Sequence, residues 1–148
     1  PAFTDFYMKN LIGNPLATAV AASRMILSGF LDRHPNLEII LVHSGGYMPF
    51  QIGRLDHGYR VRKEARANIQ KPPSEYLRRF HYDTITHAAA PLNFLVDMAG
   101  QDRVVLGTDI PFDMGDENFE RIMQEAELSA DATSAIERSN AERLFNIT

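Results

Sequence analysis

The sequence predicts an α/β fold in which short parallel strands alternate with helices. Three observations carry that prediction. First, Leu37-Glu38-Ile39-Ile40-Leu41-Val42, Phe80 to Ile85 and Val104-Val105-Leu106 are short runs rich in aliphatic, aromatic or β-branched residues, the pattern of strands covered on both faces. Second, segments with helical periodicity separate them. Third, each run stops at small or polar residues: His43-Ser44-Gly45-Gly46, Thr86-His87 and Gly107-Thr108-Asp109. Strands joined through helices pair in parallel, by right-handed crossovers.

Asn14 and Pro15 read as the N-cap and first residue of the opening helix. Leu16, Val20, Ser23, Leu27 and Phe30 share one face of it, and the stretch from Gly29 to Pro35 ends it. The first strand, 37–42, follows. A second helix is expected from Tyr47 to about Ala67, with Met48, Ile52, Leu55 and Tyr59 as its apolar stripe and Arg54, His57, Arg60 and Lys63 off it. Lys71-Pro72-Pro73 breaks the pattern, Ser74–Arg79 reads as a short helix, and Phe80–Ile85 as the second strand. A helix over 90–99 leads to the third strand, 104–106. Three helices close the chain, with caps expected at Asp116, Ser129 and Asn140.

Bulk properties exclude several function classes. With 45% apolar and 23% charged residues among 148, the composition is that of a folded soluble protein. No apolar run approaches the roughly 18 residues of a membrane-spanning helix. The absence of cysteine rules out disulfides and thiolate metal ligands, and suits a cytoplasmic enzyme. A net charge of −4 gives no basis for nucleic-acid binding. Pro-Ala-Phe-Thr-Asp at the start is not a signal peptide and carries no initiator Met. The chain is therefore expected to begin inside a longer product or after Met removal.

Three strands make an unusually small open parallel sheet, whereas a closed (β/α) barrel needs eight strands and about 250 residues. The three fit the last part of such a barrel. In parallel α/β folds ligands bind beyond the carboxyl ends of the strands. His43 and Asp109, 66 residues apart, each end a predicted strand on that side. An imidazole there can act as a general base, or it can simply cap the strand. A carboxylate after Val-Val-Leu-Gly-Thr calls for a metal or a cationic neighbour if buried, or it bonds backbone amides in the loop before Pro111. His87 ends the second strand and is a candidate for the pocket wall. His34 and His81 read as loop-end or surface residues, His57 as a surface or subunit contact. Phe112 and Met114 flank Asp109 and are candidates to shape the pocket.

Several ordered motifs resemble the decarboxylase branch of the amidohydrolase superfamily. They are Leu41-Val42-His43-Ser44-Gly45-Gly46 with Pro49 and Gly53-Arg54-Leu55-Asp56, then Pro72-Pro73-Ser74-Glu75-Tyr76. Val105-Leu106-Gly107-Thr108-Asp109-Ile110-Pro111-Phe112 and Asn140-Ala141-Glu142-Arg143-Leu144-Phe145 complete the set. The nearest family is that of aminocarboxymuconate-semialdehyde decarboxylase, and the likeness runs through essentially the whole chain. It implies one domain over residues 1–148: the last three strands and helices of a metal-dependent hydrolase-type (β/α)8 barrel, with the N-terminal half absent.

It also implies roles. Asp109 matches an aspartate that ligates a divalent metal, usually zinc. His43 matches a catalytic histidine, and Arg54 an arginine that reaches the substrate carboxylate in a neighbouring subunit. The family's first-strand His-x-His and fifth-strand histidine ligands have no counterpart here. The expectation is thus part of a metal-dependent decarboxylase of a small carboxylate, homodimeric and inactive as the isolated 148 residues. A hydrolase of the same superfamily and a non-catalytic interaction fragment are the alternatives. An uncovered sheet edge and face are expected on either reading.

Overall fold

In the computed structural model residues 3–147 are described; Pro1 and Ala2, which bear on the chain start, and Thr148 lie outside them. The element order is α1 (Asn14–Leu27), α2 (Phe30–Arg33), β1 (Ile40–Leu41), α3 (Met48–Val61), β2 (His81–Asp83), α4 (Ala89–Ala99) and β3 (Val104–Val105). α5 (Phe119–Glu125), α6 (Ala130–Ser134) and α7 (Asn140–Phe145) follow. The strands form one parallel sheet in the order β1-β2-β3. Its register pairs Ile40 with His81, Leu41 with Tyr82, Tyr82 with Val104 and Asp83 with Val105. The α/β alternation expected from the sequence is the one observed.

The core lies where the sheet meets α1, α3 and α4. Ile26, Leu31, Phe80, Tyr82, Leu92, Val104 and Ile136 are fully buried there, each side chain contributing about 1.5–3 kcal/mol of transfer free energy. α3 buries Met48 and Ile52 as its stripe requires, with Leu55 and Tyr59 half-buried beside them. It stops at Val61, short of the expected Ala67. Arg62 is extended there, and the Arg66 guanidinium donates back to the carbonyls of Tyr59 and Arg60 at 3.4 and 2.8 Å. Those bonds satisfy carbonyls that a longer helix would otherwise use.

Several local expectations are corrected. α1 buries Ala19, Ala22 and Ile26, not the bulkier Leu16–Phe30 face. The small alanines lie in the buried core, on the helix that packs closely against the turn after β1. Leu16, Val20, Ser23, Leu27 and Phe30 instead line an apolar groove of about 910 Å³ between α1 and α3, together with Arg54. Asn14 caps nothing, because the chain is already helical through a π-turn over Lys9–Gly13. Ser129 is a true cap, accepting from Ala132 N–H at 3.2 Å. Asp116 accepts from Asn118 N–H in a turn before α5. Asn140 is buried, its amide donating to the carbonyls of Gln101 and Val104, both at 2.7 Å. That tether, with Leu106 N–H donating to Ile136 O at 2.9 Å, covers the β3 edge. Among the described residues the β1 side stays open, where Ile40 and Val42 are exposed.

His81 is also corrected, from surface to interior: it is 3% exposed. It begins β2, its N–H donating to Ile39 O at 2.8 Å. Nε2 lies 3.0 Å from Glu38 Oε2, while Nδ1 is buried with no partner. Burial lowers its pKa below the ordinary histidine value, although the bond to Glu38 opposes this. The unfolded chain therefore binds the extra proton first. Stability should be complete above about pH 6.5 and fall as pH drops below that towards the lowered folded value. Chemical-denaturation midpoints between pH 5 and 7.5 should show this slope, and His81→Gln should flatten it. An unchanged slope in the variant would exclude His81 as its source.

Candidate active site

Each strand ends by turning sharply. His43 after β1, His87 after β2 and Asp109 after β3 all have left-handed backbones, with φ of 54, 56 and 56°. Ser44 follows suit at 54°. This conformation costs an L-residue about 1–2 kcal/mol, and strain of this kind gathers at functional sites. It carries the three side chains to one cleft of about 700 Å³ beyond the carboxyl ends of the strands. Phe112, Met114 and Asn14, the first residue of α1, line the same cleft, as does Asn10 from the segment preceding α1. That segment is held across the rim by Tyr7, whose hydroxyl reaches both carboxylate oxygens of Asp113 at 3.0 Å.

His43 is fixed from two sides. Its Nδ1 lies 3.0 Å from Thr18 Oγ1 of α1, and Nε2 has no hydrogen-bond partner among the described residues. Its backbone N–H donates to Asp83 Oδ2 at 3.0 Å, and that of Ser44 to Asp83 Oδ1 at 2.7 Å. The turn continues through Gly46, φ 61°, where a Cβ would run into the carbonyl of Pro15. Glycine is thus required for α1 to pack against the turn. Gly45 is pressed similarly onto the ring of buried Tyr82, 2.9 Å from a notional Cβ.

Asp83, which binds the His43 and Ser44 amides beneath the cleft, was not singled out from the sequence. It is half-buried at the end of β2, and burial raises its pKa while the amides of Ser44, Ile85 and His43 hold it down. The available signal was a carboxylate inside an otherwise strand-like run.

Asp109 differs from the expectation of a buried carboxylate. It is exposed, and its side chain has no partner among the described residues. Its carbonyl accepts from Phe112 N–H at 3.0 Å, and Asp116 N–H closes the loop onto Thr108 O. The loop therefore holds the backbone and leaves the carboxylate open to the cleft. Among the described residues no three His, Asp or Glu side chains converge to hold a metal ion. A catalytic metal site takes about three protein ligands, so the described residues do not by themselves form one.

Arg54 does not reach this cleft. It is exposed on α3, in the groove shared with the outer face of α1. Only Tyr47 lines both cavities. His34 and His57 are exposed, as expected. No helix of the described residues is long and apolar enough to cross a membrane.

Comparison with known proteins bears on this geometry. The chain is 38% identical over 113 residues to the 2-amino-3-carboxymuconate-6-semialdehyde decarboxylase of Dictyostelium discoideum, covering 76% of this chain and 32% of that protein. The crystal structure of 5-carboxyvanillate decarboxylase from Sphingomonas paucimobilis superposes with a TM-score of 0.87 at 31% identity, over 99% of this chain and 45% of that one. A dihydroxybenzoic acid decarboxylase from Polaromonas sp. JS666, with bound manganese and the inhibitor 2-nitroresorcinol, matches at 0.78 and 26% identity. It covers 90% of this chain and 41% of that one. This chain thus spans less than half the length of the proteins it resembles, and its sheet is part of the barrel they share. Residues 11–147 match the amidohydrolase family, and the chain belongs to it.

Proposed function

We propose that the protein carrying this chain is a metal-dependent decarboxylase, a carbon–carbon lyase, of a small aromatic or unsaturated carboxylate. His43, His87 and Asp109 form one wall of its site. The observation that carries this reading is the convergence of these three side chains, all on left-handed residues, in one cleft beyond the strand ends. The named relatives add that proteins of this family act as decarboxylases.

In this reading Asp109 is one ligand of a divalent metal, zinc or manganese, and the other ligands lie outside the described residues. Such an ion supplies Lewis-acid polarisation of an oxygen. His43 manages the proton. Its free Nε2 delivers H⁺ to the carbon that bears the carboxylate, the C–C bond breaks, and its electron pair returns to the ring as carbon dioxide leaves. Thr18 on Nδ1 holds the ring in orientation. His87 contributes to substrate binding. The isolated 148 residues are inactive because the site is incomplete.

Association is part of the proposal. The groove between α1 and α3 presents Leu16, Val20 and Tyr47 at 37–41% exposure around Arg54. An uncovered apolar stripe of this kind marks a contact surface. A second copy seated there would bring Arg54 to its neighbour's cleft, where a planar guanidinium suits a carboxylate. The cysteine-free composition is compatible with a reducing compartment such as the cytoplasm, and the association is a homodimer in this reading.

The test is product analysis. The intact protein, loaded with Zn²⁺ or Mn²⁺, is given 5-carboxyvanillate, 2,6-dihydroxybenzoate and 2-amino-3-carboxymuconate-6-semialdehyde. Carbon dioxide should appear in step with loss of one carboxylate. Hydrolytic products without carbon dioxide, or no turnover of any of the three, would overturn the reading.

A further inference from the structure

Asp83 has no part in the chemistry proposed above, yet its carboxylate is directed mainly at backbone, with the Ser44 hydroxyl as a further donor to Oδ1 at 3.5 Å. Oδ2 accepts from His43 N–H at 3.0 Å; Oδ1 accepts from Ser44 N–H at 2.7 Å and from Ile85 N–H at 3.2 Å. The Ser44 hydroxyl donates to the Asp83 carbonyl at 3.1 Å. Both residues whose amides it gathers from the β1 end are left-handed. Two successive N–H groups pointing to one side form a concave donor pair that suits a single anion. A neutral side chain at position 83 would meet these three N–H donors without charge to offer them. The neighbouring strand holds Asp83 from the other side: Gly107 leaves room for it, a notional Cβ there lying 3.0 Å from Asp83 Cβ. Thr84 ties the same level of β3 by accepting from Gly107 N–H and donating to Gly107 O, at 3.2 and 3.0 Å.

We propose that Asp83 is the positioning residue of the His43 turn. Its carboxylate binds the amides of His43 and Ser44 and so fixes the direction from which the His43 imidazole enters the cleft. The inference rests on the reading of His43 as the proton carrier. Thr18 holds the ring and Asp83 holds the backbone beneath it. Without the second, the first bond can follow a displaced ring. A misplacement of roughly 1 Å costs about 10²-fold in rate.

The experiment is a double-mutant cycle on the intact, metal-loaded protein, with 2,6-dihydroxybenzoate or 5-carboxyvanillate, combined with amide exchange resolved to single residues. Asp83→Asn is nearly isosteric but turns an NH₂ towards donors. It should lower kcat about 10²-fold, with KM and bound metal within about twofold, the pattern of a lost transition-state interaction. In a His43→Ala background it should have no further effect, because the residue it positions is gone. In the unaltered protein the amides of His43 and Ser44 should exchange as slowly as those of β2, and Asp83→Asn should release these two selectively. A full kcat in Asp83→Asn while His43→Ala is impaired would overturn the proposal and leave the reading of His43 standing. An added loss in the His43→Ala background would make Asp83 merely structural. Unimpaired His43→Ala would instead remove the reading of His43. Should Asp83→Asn fail to fold, or no substrate turn over, fast exchange of the two amides in the unaltered protein would be enough to overturn the proposal.

Discussion

Replacing Asp109 with Asn should strip bound divalent metal and activity together. The substitution keeps the size and shape of the side chain, and Asn tolerates the left-handed backbone of this position (φ 56°) as well as Asp does. The loop bonds from Phe112 N–H to Asp109 O and from Asp116 N–H to Thr108 O are made by backbone and persist. What is lost is one negative charge on a carboxylate that has no other partner among the described residues. Even groups that only support a metal ligand change affinity by about 10–100-fold when replaced, so losing the ligand's charge should do at least as much. Metal content after dialysis against a weak chelator, measured beside kcat, reads the outcome. Retention of both in Asp109→Asn would remove Asp109 from the metal site.

His43→Ala should give the opposite pairing: metal content unchanged and kcat lowered by about 10²–10⁴-fold, the range for loss of a positioned general acid–base group. Among the described residues its imidazole hydrogen-bonds Thr18 alone, through Nδ1, so truncation leaves the Asp109 loop untouched. The same variant tests the placement of Arg54. Arg54 lies in the groove between α1 and α3, away from the cleft of its own chain. If it serves a neighbouring copy, mixing inactive Arg54→Ala and His43→Ala proteins should restore part of the activity, since mixed dimers contain one site with both groups. No recovery, with subunit exchange verified, would place Arg54 outside the partner's cleft.

The pair His43 and Asp109 was legible because each follows a short apolar run, and in a parallel sheet those positions all face one side. The lengths of the strands were not. Residues 37–42 read as six strand residues, but only Ile40 and Leu41 pair with β2. The ladder ends where Asp83 turns its side chain to the amides of His43 and Ser44 instead. The buried face of α1 was misread for a related reason. Periodicity favours the large residues Leu16, Val20 and Leu27, whereas the face that packs inward carries the small Ala19 and Ala22. His81 was hidden because a polar side chain at the start of a strand is buried here only by neighbours distant in sequence, Glu38 and Arg103. Left-handed geometry at His43, Ser44, His87 and Asp109 could not be read from residue type, since these residues permit that conformation without requiring it.

If the cleft at the carboxyl ends of the three strands is a metal-dependent active site, Asp109 is one of the ligands that hold its ion. Anomalous scattering from crystals of the intact protein grown with Mn²⁺ tests this claim most directly. The expected result is one strong manganese peak within bonding distance of the Asp109 carboxylate, with the His43 ring facing it across the same cleft. A manganese peak held elsewhere in the fold, with Asp109 free in solvent, would contradict the claim.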